Sequence, residues 1–153
     1  MMNITRKLLL LVSLVAVFAV FALPAFAQNR TVTVTEDQIN SSYRVTNSAR
    51  RSVSNLHVDL QSGQAVITAT VTVRGGNSWN TVTTLTPSVS SSGRVTWTVA
   101  SVTVDGQAAS QDVVNQINNS IASSWRSFIR NQYGTGRVAS VSISDSAITF
   151  TLR

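Results

Sequence analysis

The chain has 153 residues, 43% of them hydrophobic and only 12% charged, with no cysteine and a formal net charge of +6. That length suits one domain with a useful core, and the missing cysteines exclude a disulfide framework, thiolate metal centres and a lipid-modified N-terminal cysteine. Setting aside Arg6 and Lys7, the remaining basic residues are ten arginines and no lysine, against six acids.

The N-terminus has the order of a secretory signal. Arg6 and Lys7 are followed by an apolar run over residues 8–23, and Ala25-Phe26-Ala27 puts small residues at the −3 and −1 positions of a cleavage site. The run is shorter than the roughly 20 residues that span a bilayer. The pattern predicts a signal peptide over residues 1–27, cleaved after Ala27, with a retained anchor as the alternative. Residues 28–153 then form a single domain, periplasmic or extracellular.

The first element is a short strand, "RTVTVT" (30–35), with Val32 and Val34 alternating against threonines. Thr35 and Gln38 make a capping-box pair, Glu36 and Asp37 fall in a first turn that favours negative charge, and Ile39 and Tyr43 share a face. A short helix is expected there. From residue 52 the period changes to two. Leu56, Val58 and Leu60 lie on one face of a strand, with His57 and Asp59 on the other. Beyond a turn at Gly63, Ala65, Ile67, Ala69, Val71 and Val73 alternate with more polar neighbours. Residues 79–89 form a third long strand after "GGNS", weakened at Pro87. In "RVTWTVASVTVDG" (94–106), Val95, Trp97 and Val99 share a face, but Val102 and Val104 fall on the opposite parity. A bulge at Ala100-Ser101 would restore the inward face and bend the strand.

The period changes again at "VVNQINNSIASSWRSFI" (113–129). Val114, Ile117, Ile121, Trp125 and Phe128 are spaced by three and four residues, one stripe of an amphipathic helix with Ser110 as its N-cap. "YGTGR" breaks the helix, and a hairpin follows with Val141 and Ile143 on one strand and Ile148, Phe150 and Leu152 on the other. The expected fold class is α+β: a curved antiparallel meander sheet wrapped around one long amphipathic helix in the C-terminal half, with a short N-terminal helix.

Candidate chemistry is thin. His57 is the only histidine and Asp59 is near it, but both lie on the polar face of a strand and no nucleophile elbow is present. The six acids form no ligand cluster at a recognisable spacing. "GTG" (134–136) follows a helix and precedes a strand, the reverse of a phosphate-cradling loop. Neither an enzyme nor a metal or cofactor site is expected. The arginines are not interleaved with stacking aromatics, which argues against nucleic acid. Positive charge favours anionic lipid headgroups or an anionic membrane surface, although ten arginines spread along the chain form no dense patch in the sequence.

What remains is apolar. Trp79, Leu85, Trp97, Val114, Ile117, Ile121, Trp125 and Phe128 are the residues expected to face one another between sheet and helix. They either fill that space as a core or wall a cavity for an apolar ligand. The Val, Ala and Thr of the sheet face leave room that larger side chains would occupy. The oligomeric state has no signature.

In order along the chain, "VTEDQINSSY" after a short strand, "LQSGQAVITATVTV", "LTPSVSSSGRVTWTVASVTVDGQ", a helix and "VASVSISDSAITFTL" resemble small bacterial cell-envelope domains. Their layout is related to the tubular lipid-binding (TULIP-type) proteins and their extracytoplasmic relatives. That resemblance implies a curved antiparallel sheet around a long helix, with acyl chains in the groove between them and Ile117, Ile121, Trp125 and Phe128 facing it. The function it implies is non-enzymatic binding of a lipid or other apolar ligand. The alternative is an envelope interaction module with a solid core.

Overall fold

A computed structural model describes residues 30–153; the expected signal peptide lies outside the described residues. The chain is α+β and mostly antiparallel sheet. In order, the elements are β1 (Arg30–Thr35), α1 (Glu36–Ser42), β2 (Arg51–Gln61), β3 (Gln64–Val73), β4 (Ser78–Val89), β5 (Val95–Val104), β6 (Gln107–Ala108), α2 (Gln111–Asn118), α3 (Ile121–Tyr133), β7 (Val138–Ile143) and β8 (Ala147–Leu152).

The strands form two open sheets rather than one meander. β2 to β6 make a five-stranded meander in sequence order, while β1 pairs with β8 in a three-stranded sheet of order β1-β8-β7. Sequence alternation cannot reveal this division, because a strand's period shows which face is buried and says nothing about its partner. Two backbone bonds tie the sheets together: Gly63 N–H donates to the Ile143 carbonyl (3.1 Å) and Val138 N–H to the Gly93 carbonyl (3.0 Å). Gly93 has φ +78°, and a Cβ there would lie 2.9 Å from Arg137 Cβ, so this junction requires glycine.

The expected bulge is present on β5. Thr84 pairs with Ser101 and Leu85 with Val99, which leaves Ala100 as the extra residue. Trp97 and Val102 are consequently both buried despite their opposite parity. A second bulge, on β2 between Ser54 and His57, has Asn55 at φ +51°. Asparagine tolerates this left-handed conformation better than most residues. It switches parity, so Arg51 and Val53 share the inward side with Leu56, Val58 and Leu60.

α1 starts with the expected capping box: Gln38 N–H donates to Thr35 Oγ1 (3.2 Å) and Thr35 N–H to Gln38 Oε1 (3.0 Å). The helix also covers the free edge of β2. Asn40 brackets Val58, its Nδ2 donating to the Val58 carbonyl and its Oδ1 accepting from Val58 N–H, both at 2.8 Å. Glu36 Oε2 accepts from Leu60 N–H (2.7 Å), and Asn47 Oδ1 accepts from Val53 N–H (2.7 Å). Side chains thus take the place of a missing strand, and the edge offers no ladder to another chain.

The long helix bends. α2 stops at Asn118 and α3 begins at Ile121, with Ser120 at φ −127°, ψ −86°. Ser120 Oγ donates to the Gln116 carbonyl (2.6 Å), closing the end of α2. Across the bend Ile117, Ile121, Trp125 and Ile129 are buried in a run of i, i+4 steps, with Ala122 beside them. Val114 and Phe128 are half-buried at the margins.

Candidate functional site

The eight apolar residues singled out by the sequence divide between two ends of the five-stranded sheet. One end is solid. Trp125 is fully buried, its ring edge-to-face with Trp97 (centroids 5.2 Å, 89°) and with Tyr43 (5.5 Å, 85°). Phe128 packs against Tyr43 (5.3 Å) and Trp125 (6.2 Å). Such edge-to-face pairs add about 0.5–1.5 kcal/mol each to the gain from area burial. Leu85 and Ile121 are fully buried in the same core. The Tyr43 hydroxyl donates to the Ile121 carbonyl (2.8 Å), which joins α1 to the first turn of α3. Burial pushes the Tyr43 phenol far above its ordinary value. The indole N–H groups of Trp97 and Trp125 are buried without a hydrogen-bond partner, and such groups cost about 1–3 kcal/mol each.

The other end is open. A groove of about 520 Å³ lies between β3, β4 and β5 on one side and the β6–α2 segment on the other. Val71, Val73, Trp79, Val104, Ala108, Ala109, Val113 and Ile117 give it an apolar wall. Its lip is held where Ala109 N–H donates to the Val102 carbonyl (3.0 Å). Thr81, buried on the same wall, is satisfied within the sheet, its Oγ1 donating to the Ala69 carbonyl (3.1 Å). The volume is within the range of small-molecule sites.

Of the eight candidates, then, Trp79 and Ile117 border this groove, while Leu85, Trp97, Ile121, Trp125 and Phe128 belong to the filled end. Val114 is half-buried against the core, and its neighbour Val113 reaches the groove instead. Arg51 also lines the groove, with its Nε buried and without a partner. Sequence alternation puts Arg51 on the polar face; only the bulge at Asn55 turns it inward. The available signals are Asn55 itself and Val53, an apolar residue on the parity opposite to Leu56, Val58 and Leu60.

The arginines that looked dispersed in the sequence gather in space. Arg50, Arg51 and Arg74 line a hollow that abuts the groove. Arg94, Arg126 and Arg130 surround another, beside Trp97 and Tyr133. Arg126 is held by protein groups, its Nε donating to the Trp97 carbonyl (3.1 Å) and its guanidinium also reaching Asn118. Burial raises the Tyr133 pKa, partly offset by the nearby Arg130 charge.

His57 and Asp59 are both exposed, and Asp59 Oδ2 accepts from the Gln61 amide (2.7 Å) rather than from an imidazole. Glu36 serves β2 as well as its own helix, and Asp105 Oδ1 accepts from Asn80 N–H (2.9 Å) in a turn. Among the described residues no group of three His, Asp or Glu side chains is placed to hold a metal, and no helix is long and apolar enough to cross a membrane. Comparison with protein-family models, curated proteins and solved structures gives no match for this chain.

Proposed function

We propose that the chain is an exported, non-enzymatic binding domain that holds a lipid or other apolar ligand between sheet and helix. The observation that carries this reading is the apolar groove of about 520 Å³ walled by Trp79, Val113 and Ile117. Its seat is displaced from the aromatic end named by the helix stripe, because Tyr43, Trp97, Trp125 and Phe128 fill that end themselves. On this reading the five-stranded sheet, bent at the Ala100 bulge, is the curved wall of a TULIP-type layout, and the α2–α3 segment lies in its hollow. The grouped arginines fit work at an anionic membrane surface.

The test is native mass spectrometry of protein purified from an envelope, with solvent extraction of bound lipid, followed by titration with a fluorescent fatty acid. Co-purifying lipid and saturable uptake are expected. A single apo mass with no uptake would overturn the reading. The filled aromatic end favours a second reading, an envelope interaction module with a solid core, and that outcome would leave it standing.

A further inference from the structure

The groove and the hollow beside it share Arg51, Val73 and Gln116, so the apolar slot opens directly onto a cationic rim. The rim follows from the pairing of β2 with β3. Arg51 pairs with Val73 in the ladder, and Arg74 N–H donates to the Arg50 carbonyl (3.0 Å), which brings Arg50 and Arg74 together beside Arg51. Among the described residues no carboxylate lines either space. Arg51 Nε is buried with no acceptor, whereas a guanidinium in such surroundings ordinarily finds one. Val71, Val73 and Trp79 cover the apolar side of the same slot.

We propose that the groove takes an anionic single-chain amphiphile, its acyl chain along Trp79 and Val113 and its carboxylate or phosphate head on Arg51, flanked by Arg50 and Arg74. This rests on the apolar-ligand reading above and adds the class of headgroup. A guanidinium binds either oxyanion through paired N–H donors, and the partial exclusion of water around Arg51 strengthens that contact. A neutral alcohol of the same length gains the apolar wall but offers Arg51 one uncharged acceptor in place of a paired oxyanion.

The experiment is isothermal titration of the full chain with tetradecanoate, tetradecyl phosphate, tetradecanol and inorganic phosphate, the amphiphiles below their micelle concentrations. Both anionic amphiphiles are expected to bind at least tenfold more tightly than tetradecanol, and inorganic phosphate far more weakly than tetradecyl phosphate. Arg51→Gln should reduce the anionic affinities about tenfold and leave tetradecanol unchanged, with smaller losses in an Arg50→Gln, Arg74→Gln double variant. A charge-matched Arg94→Gln, Arg130→Gln double variant, altered at the other arginine group, should bind as the parent does. Equal affinity for tetradecanol and tetradecanoate overturns the headgroup assignment and leaves the apolar-ligand reading intact. Inorganic phosphate binding as tightly as tetradecyl phosphate means a free-anion site and overturns the amphiphile. Equal loss in the Arg94, Arg130 variant means unspecific charge and overturns the role of Arg51. No binding by any amphiphile overturns both readings.

Discussion

The two ends of the five-stranded sheet are built on the same strands and opposite the same bent helix, yet one is closed and the other open. Where α3 lies, the helix contributes Ile121, Trp125 and Phe128, and Tyr43 enters from α1 to complete an aromatic cluster. Where α2 lies, it contributes Val113 and Ile117 opposite Val71 and Trp79, and nothing comparable to Tyr43 arrives from outside. The sheet face differs as well: β4 and β5 give the closed end Leu85 and Trp97, whereas Val71, Val73, Thr81 and Val104 lie beside Trp79 at the open one. The difference is therefore one of side-chain volume, contributed by the strands as well as by the helix and Tyr43. How much side-chain volume meets from both sides decides whether the hollow becomes core or groove.

The strongest way to break the comparison is to empty the closed end. Trp125→Ala should cost about 3–5 kcal/mol in urea unfolding, and Trp125→Asp, which buries an unpaired charge, should prevent folding. A thermal midpoint unchanged by either substitution would mean that this end is not the core. The next largest effect concerns the device that holds α1, and hence Tyr43, against the sheet. Asn40→Ala strips both polar groups of Val58 of their partners and should cost about 1–3 kcal/mol, with increased self-association because the edge of β2 is uncovered. Sedimentation velocity alongside denaturation would separate the two consequences.

A smaller, pH-dependent effect comes from Tyr43. Its phenol is held neutral in the native state above the ordinary value of about 10, so its stabilising contribution is fully present below that pH. Above it the unfolded chain releases the proton while the native chain retains it, and stability falls as pH rises. Tyr43→Phe should remove about 1 kcal/mol at neutral pH through loss of the bond to Ile121. It should also flatten the decline in melting temperature above pH 10; Tyr133, shifted in the same direction, would retain a weaker slope. The smallest stability effect belongs to the open end. Val113→Phe projects into existing space and should change stability by about 1 kcal/mol or less. It should nevertheless abolish uptake of fluorescent fatty acid. Together, Trp125→Ala and Val113→Phe sharpen the contrast: the first should lower stability, the second should remove uptake with stability kept.

Much of this was legible in the chain. The strict alternation of 65–73, the parity change at Ala100 and the Thr35–Gln38 capping box each describe local geometry, and local geometry is what periodicity reports. The helix stripe identified Ile117, Ile121 and Trp125, but it ran straight through Asn118-Asn119-Ser120, where the helix bends, and it passed over Ile129. What escaped was non-local. The pairing of β1 with β8 depends on which edge a strand finds, and the arginine rim depends on the register that brings the start of β2 beside the end of β3. Arg51 escaped for a further reason, because a single left-handed asparagine reversed the face on which it lies.

The pairing of β1 with β8 also sets an order of events. Thr35 lies opposite Ala147 and Arg30 opposite Leu152, so the first strand of the domain waits for residues more than a hundred positions downstream. The meander β2 to β5 closes through short turns and can zip up as the chain emerges, whereas the three-stranded sheet must bridge that long separation. During synthesis, until β8 has been made, β1 has no strand to join. The first strand therefore stays unpaired until the last has emerged, although α1 can already dock on β2 through Asn40 and Glu36.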